Sequence, residues 1–430
     1  MIEPKRISNA EMAEVFQRAL AHNLIEQADT ASIFYDLDGI TGRIDQIKSV
    51  FPSNALHTAA IKANPLMSIL KHVKNLGIGV EAASRPELYL AEKAGFAADK
   101  IVIDSPAKTN AEIEYALNFG VHINVDSFRE LARIAGLLGK IKSSSTIGIR
   151  INPQTGIGKI RSTGVAGEYS KFGIPLKENY DVLIEKYLQY DWLTGFHLHI
   201  GSQGCDLAML VEGIERVYKL ADDVNSRLTK QGQVRAINIF DIGGGLPVFY
   251  SATETAPTMV QYAEAIKTRC PDLFSSKFKL ITEFGRYLFA NSGWLAARVE
   301  YIKPNGNIKT AVIHVGADLL LRECYNPDDW PHDISVLDSR GKVKSGLAET
   351  YIIAGPLCFA GDIIARDIRL PIIEPGDYIL IHDIGAYTLS MWSRYNSRQM
   401  PKVIGYYGQG DNFEILKTRE SLEDIYKFWS

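Results

Sequence analysis

Ala59-Ala60-Ile61-Lys62-Ala63-Asn64-Pro65 is the stretch that decides how this chain folds. An apolar run from Ala59 to Ile61 ends in one lysine, and Asn64-Pro65 then breaks the strand. A strand this apolar is buried on both faces, as the strands of parallel sheets are. A lysine at its carboxyl end sits in a partly dry mouth. Desolvation there lowers an amine's pKa and makes it a nucleophile toward an aldehyde. The plain alternative is a lysine that ends a strand and reaches into water.

Seven further β-rich runs favour the first reading. With His57–Ile61 they are Ile78–Ala82, Ile101–Asp104, Val121–Val125, Thr146–Ile151, Thr194–Ile200, Ala236–Asp241 and Leu280–Glu283. Helix-like stretches separate them. Ser84–Ala94, for example, has apolar Leu88, Leu90 and Ala91, and Ser84 with Glu87 makes a capping box at its start. Eight strands alternating with helices predict an α/β fold, a closed (β/α)8 TIM barrel over residues 40–290. Lys62, Glu81, Arg150, His199, Gly243-Gly244-Gly245 and Glu283 all fall at or just after strand ends. In a barrel those ends share one face, where active sites are built.

After Asn291 the texture changes to short strands and turns, as in Pro304-Asn305-Gly306, Thr310–His314, Thr350–Ala354, Pro375-Gly376-Asp377 and Tyr378–His382. We expect a β-sandwich or barrel-like domain over 291–430, completed by residues 1–39, with Ile33–Tyr35 adding a strand. With 46% hydrophobic and 23% charged residues, the composition is that of a globular protein. A net charge of −3 leaves no footprint for nucleic acid or an anionic membrane. The first residues are polar, without the apolar core of a signal peptide, and no apolar run reaches the length of a membrane span. Four scattered cysteines (Cys205, Cys270, Cys324, Cys358) suit a reducing cytoplasm.

The strand-end motifs carry the chemistry. Asp241-Ile242-Gly243-Gly244-Gly245 follows a strand, and three glycines let backbone N–H groups crowd around an anion; otherwise they make a flexible turn. The run is neither a Walker loop nor a dinucleotide fingerprint. Gly195-Phe196-His197-Leu198-His199-Ile200-Gly201-Ser202-Gln203 sets two histidines at period two, facing one side of a strand. Such a pair often suggests a metal, but no third ligand has a supporting spacing, so we expect no metal. A histidine lying flat over an aromatic cofactor, with Ser202 reaching a phosphate, is the better reading. Ile281-Thr282-Glu283-Phe284-Gly285-Arg286-Tyr287 brings a carboxylate for a ring nitrogen and an arginine for an anion; the bland reading is a surface ion pair. A Schiff-base lysine, a glycine nest, a flat histidine and a carboxylate together describe pyridoxal 5′-phosphate.

From about Ser32 to Tyr407 the chain resembles the alanine-racemase-type class of pyridoxal-phosphate enzymes, and within it the diaminopimelate/ornithine/arginine decarboxylase family, closest in motifs to the diaminopimelate branch. The resemblance implies a Schiff base on Lys62 within Lys-Ala-Asn-Pro, and a ring-stacking role for His199 within His-Ile-Gly-Ser-Gln. It assigns the phosphate to Gly243–Gly245, Arg286 and Tyr387, and the pyridine nitrogen to Glu283, in Glu-Phe-Gly-Arg where the family usually has Glu-Pro-Gly-Arg. Arg150, Ser202 and Gly285 join the cofactor set. Gly355-Pro356-Leu357-Cys358 matches the segment whose cysteine enters the neighbouring subunit's active site, which implies a head-to-tail homodimer. Tyr395-Asn396-Ser397-Arg398 also has the look of the diaminopimelate branch.

Glu283 points to the reaction. A carboxylate at the pyridine nitrogen keeps it protonated and the ring a strong electron sink. Racemases of this class set an arginine there, so the expectation is decarboxylation rather than racemisation, with Cys358 as the acid that protonates the carbanion. The intact Lys62, His199, Cys358 and Tyr387 argue against a catalytically silent regulatory relative.

The substrate-reading positions depart from the family. The acidic residue that follows the cysteine is Phe359 here, leaving Asp362 to take up part of its task, as in the Cys-x-Ala-Gly-Asp pattern of carboxynorspermidine decarboxylases. Arg-Pro-x-x-Tyr is replaced by Arg322-Glu323-Cys324-Tyr325, in which Arg322 can still bind a distal carboxylate. Arg286, Arg322, Tyr325, Phe359 and Asp362 are the expected substrate set. The expected substrate is a diamino acid or a conjugate of one; the alternatives are meso-diaminopimelate of lysine biosynthesis and a siderophore- or polyamine-pathway intermediate.

Overall fold

A computed structural model describes residues 6–430 as two compact units. The first takes Arg43–Val248 and Ala256–Tyr287. The second takes residues 6–42, the short segment Phe249–Thr255 and Leu288–Ser430. The expected boundaries were 40 and 290; nothing in the sequence marked Phe249–Thr255 as part of the second unit.

Eight strands build the first unit: Leu56–Ala60, Gly79–Ala82, Ile101–Asp104, His122–Val125, Ile147–Asn152, Leu193–His197, Ile239–Asp241 and Lys279–Phe284. Each pairs in parallel with the next, and the eighth returns to the first through Ile281 opposite Leu56 and Phe284 opposite Ala59. The sheet is therefore the closed barrel expected. Among the strand residues only Thr194 and Lys279 are not buried, because helices cover the outside and side chains fill the inside.

Side-chain periodicity sets the site. Leu56, Val102, Ile239 and Ile281 form one apolar cluster. Two residues further along three of these strands, on the same face by the strand period, stand Asp104, Asp241 and Glu283. Apolar packing thus gives way to charge toward the carboxyl ends.

The helices start at side-chain caps. Ser84, Thr109 and Ser127 each accept the N–H of the residue three on. At Ser84 the expected capping box is half made: the Glu87 carboxylate accepts the N–H of Ala83 (2.6 Å), one residue outside the cap.

The second unit is a nine-stranded mixed sheet. Ala31–Asp36 lies between Gly293–Asn305, antiparallel, and Lys402–Tyr407, parallel, so the N-terminal strand joins this unit as expected. Gly293–Asn305 is thirteen residues long and breaks register between Val299 and Tyr301. Before that irregularity it pairs with Ala31–Asp36 and Tyr378–Ile381; beyond it, with Ile308–Ile313. One bent strand therefore joins the two parts of this sheet, which is how bulges turn corners. A helix, Asn9–Ala21, has a full capping box at Ser8 and Glu11. It lays Met12, Val15, Phe16 and Ala19 on Phe34, Trp294, Leu380 and Ile404. Among the described residues no helix is long and apolar enough to cross a membrane.

Candidate active site

The chain turns out of the first barrel strand through a short 3-10 turn, Ile61–Ala63, which places Lys62 at the barrel mouth. The lysine side chain is 40% exposed, and its Nζ donates to Glu81 Oε2 on the neighbouring strand. Burial raises the Glu81 pKa, and the Lys62 ammonium opposes that rise. Sequence reading placed Glu81 at a strand end but missed this partnership, which follows from strand adjacency.

His197 and His199 do not share a strand. The sixth strand ends at His197, which is fully buried inside the barrel. His199 follows in the loop, and its Nδ1 accepts the N–H of Gly244 (3.0 Å). The expected same-side pair is thus corrected: period two holds only while the strand is paired, and pairing stops first. His199 Nδ1 carries no proton, and burial together with Arg150 holds the ring's pKa well below the ordinary imidazole value. The ring is a flat, neutral face.

The glycine run is tighter than expected. Gly243 N–H donates to Asp241 Oδ1 (2.9 Å) and Gly244 N–H to His199 Nδ1, so two of the three amides are satisfied within the fold. A Cβ on Gly244 would stand 2.1 Å from the Glu283 carbonyl oxygen, and Gly245 has φ +107. Only glycine fits there. Arg286, at the start of the short helix that follows Gly285, donates from Nε to Ser202 Oγ (2.9 Å), bringing the two expected phosphate groups together.

Glu283 is buried, and its Oε1 has no hydrogen-bond partner. Burial, with Asp241 beside it, pushes its carboxyl well above the ordinary carboxylate range. A buried carboxyl with one oxygen unpartnered is what a ring nitrogen carrying a proton would complete. Arg150 is not free to reach a ligand: it is buried, with Nη1 on Asp104 Oδ2 and its guanidinium 4.5 Å over the Phe172 ring. We therefore correct its expected direct contact to a charge held one layer below. Asp104, His197 and Glu283 place one ligand-type atom each within 4.8 Å of one another. With Arg150 on Asp104 and a second carboxylate, Asp241, on His197, this is an ion-pair cluster.

The remaining expected residues belong to the second unit. Arg322, in Leu321–Tyr325, lies 4.1 Å over the Trp330 ring and donates from Nη2 to the Ala386 carbonyl (3.1 Å). Its Nε and Nη1 are buried without hydrogen-bond partners. Tyr387, at φ +58, has its ring 5.7 Å from the same guanidinium. Phe359 stacks on Tyr325, centroids 5.5 Å apart and planes 19° from parallel. Both Asp362 oxygens are occupied: Oδ1 accepts the N–H of Ala317 and Oδ2 that of Leu357, each at 2.6 Å. This buried carboxylate pins two loops, in place of the expected substrate amine. Cys358 is exposed, and its backbone is clamped. Its N–H donates to Asn396 Oδ1 (2.8 Å), and its carbonyl accepts from the Tyr395 hydroxyl (3.0 Å).

A closed parallel barrel with a lysine at its mouth, a neutral flat histidine, a glycine turn beside an arginine, and an orphaned buried carboxyl defines a barrel enzyme built for pyridoxal phosphate. A model of the family described as pyridoxal-dependent decarboxylase, pyridoxal binding domain, matches residues 37–290. The diaminopimelate decarboxylase of Helicobacter pylori is 32% identical over 409 residues, 94% of this chain and 96% of its own length. That of Archaeoglobus fulgidus is 31% identical over 389 residues, 89% and 88%. The crystal structure of the H. pylori enzyme complexed with L-lysine superposes with a TM-score of 0.83 at 31% identity, covering 95% of this chain and 99% of that one. The chain belongs to the ornithine/arginine/diaminopimelate family of pyridoxal-dependent decarboxylases. Its cofactor is pyridoxal 5′-phosphate and its reaction is amino-acid decarboxylation.

Proposed function

We propose that the substrate is a conjugate of a diamino acid that carries a distal carboxylate but no free distal ammonium. The observation that carries this reading is Phe359: the position after Cys358 holds an aromatic ring stacked on Tyr325, and the nearby Asp362 is already occupied by two backbone amides. A phenyl ring does not offset a buried ammonium, which costs several kcal/mol unpaired. Arg322, with two buried donors unpartnered, supports a carboxylate at the distal end. A siderophore- or polyamine-pathway intermediate of that kind is the setting we propose. A second reading, meso-diaminopimelate itself, is supported by the diaminopimelate decarboxylases at 31–32% identity.

In this reading Lys62 holds the cofactor covalently, Gly245, Ser202, Arg286 and Tyr387 hold its phosphate, His199 lies on its ring and Glu283 holds the proton on the ring nitrogen. The cofactor supplies the electron sink for the electrons that CO2 leaves behind. Cys358, its backbone fixed by Asn396 and Tyr395, returns a proton to the substrate carbon of a second copy in a head-to-tail homodimer. Four unbridged cysteines support a reducing, cytoplasmic setting.

CO2 release over a panel tests the proposal: lysine, ornithine, meso-diaminopimelate, and diamino acids acylated on the second nitrogen by an arm bearing a carboxylate. The acylated compounds should have the highest kcat/KM. Preference for meso-diaminopimelate would establish the second reading instead.

A further inference from the structure

One cluster in the barrel has no part in that scheme. His197 is fully buried between two carboxylates: Nδ1 lies 3.2 Å from Asp241 Oδ2, on the seventh strand, and Nε2 3.5 Å from Asp104 Oδ2, on the third. A neutral imidazole has a proton on one nitrogen and a lone pair on the other. Both nitrogens are buried without a hydrogen-bond partner, and at these distances either tautomer would leave its lone pair against an anion. We propose that His197 is a permanent imidazolium and a positioning residue: by keeping Asp104 and Asp241 ionised it leaves Glu283 as the carboxyl of the cluster with no ion-pair partner of its own, poised for the cofactor's ring nitrogen. The second half of the inference rests on Glu283 facing that nitrogen, as proposed above.

The charges of the neighbourhood agree. Asp104, Asp241 and Glu283 stand together in the barrel against one fixed cation, Arg150 on Asp104, while Glu81 is matched by Lys62 at the mouth. Lys108, the next cation out, is paired with Glu130. Three carboxylates against one cation would leave two negative charges in a closed space. A charged His197 removes one, and a protonated ring nitrogen would neutralise the other. Of the two nearby imidazoles, His199 accepts from Gly244, and His122 meets only the neutral Thr146 Oγ1 (2.7 Å) and Asn124 Oδ1 (3.1 Å). Neither can take the role. Burial alone would lower the His197 pKa, but Asp241, Glu283 and Asp104 outweigh it and hold it well above the ordinary value.

His197 also reaches the phosphate end. Asp241 uses its Oδ1 for the Gly243 N–H and its Oδ2 for Asn124 Nδ2 (2.9 Å). Both are acceptor tasks that an ionised carboxylate performs. A proton on Asp241 would loosen the first bond of the glycine turn.

Neutron diffraction from the deuterium-exchanged holoenzyme near pH 8 tests the charge: deuterium is expected on both ring nitrogens of His197 and on one of His122. A bare nitrogen on His197 overturns the proposal. The second half is read from cofactor binding. His197→Gln keeps the polarity and loses the charge, and should weaken pyridoxal-phosphate affinity about tenfold or more and shift the pH dependence of the bound cofactor's visible band. Asp241→Asn added to His197→Gln restores the charge balance and should recover most of that affinity, which a merely structural defect would not. Unchanged affinity in His197→Gln, or a further loss in the double variant, overturns the link to Glu283. Glu283→Gln, measured alongside, separates the underlying assignment: if it leaves affinity and band untouched, Glu283 does not face the ring nitrogen, and the link fails with that reading while the diffraction result stands.

Discussion

Lys62 and Glu81 show how a single side chain is prepared. The lysine ends a buried strand, turns out at the barrel mouth and meets a carboxylate that burial makes reluctant to ionise. The pair is easily parted when an aldehyde arrives. Borohydride reduction of the cofactor-loaded protein should fix the label on Lys62, and Lys62→Ala should abolish the adduct. A label mapped to another lysine would sink the assignment. Three other buried residues set the response to acid. Burial lowers the pKa of His57, His122 and His382 to about 4. Each is neutral in the fold and free to protonate when unfolded. Their stabilising share is therefore complete above about pH 6.5 and is lost as pH falls toward 4, on the order of 3 kcal/mol each at the limit. His197 works in the opposite sense: its pKa is raised, so its share is present below pH 6.5 and fades only as pH rises through the folded-state value. Melting temperature should drop steeply between pH 6.5 and 4.5, and His122→Gln should flatten that slope; an unchanged slope would exclude His122 as a cause.

At the scale of elements, the loop from Gly355 to Asp362 is the most informative. Asp362 fastens it to Ala317 and Leu357, Asn396 and Tyr395 grip Cys358, and Phe359 leans on Tyr325. Phe359→Glu should move preference toward meso-diaminopimelate by about ten- to a hundredfold in relative kcat/KM, the worth of one charge-assisted contact. Asp362→Asn should lower the melting temperature and the turnover together, because it leaves backbone amides poorly held. If it lowered turnover alone, Asp362 would be a substrate contact after all. This loop was only half legible in the sequence. The Cys358 segment stood out as a motif, but one of the two N–H groups that donate to Asp362, that of Ala317, comes from a loop 45 positions away, which no local pattern reveals. The barrel strands were legible because each apolar run stops at a polar residue where the barrel opens. His197 and His199 misled because periodicity does not tell where pairing ends. The helix Asn9–Ala21 was missed although Ser8 and Glu11 announce its start and Met12, Val15, Phe16 and Ala19 repeat at helical spacing.

For the whole molecule, the residues with chemistry divide between two units, with Lys62 in one and Cys358 in the other. In a head-to-tail dimer each site would take its lysine from one copy and its cysteine from the other. Mixing inactive Lys62→Ala and Cys358→Ala proteins under conditions of subunit exchange should then restore activity toward a quarter of wild type, since one hybrid site is whole. No recovery after demonstrated exchange would count against a shared site.

The strand Ala31–Asp36 has a further consequence, for biosynthesis. It leaves the ribosome more than two hundred residues ahead of both its neighbours, Gly293–Asn305 and Lys402–Tyr407. At roughly 5–20 residues per second it waits for tens of seconds with both edges bare. The barrel between them can close in the meantime, since its strands pair almost entirely with their neighbours in sequence. The exposed interval therefore belongs to a short apolar strand, Ala-Ser-Ile-Phe-Tyr-Asp, of the kind that nascent chains hand to chaperones. The order of synthesis makes the β-unit, not the barrel, the step at which this protein is most open to aggregation.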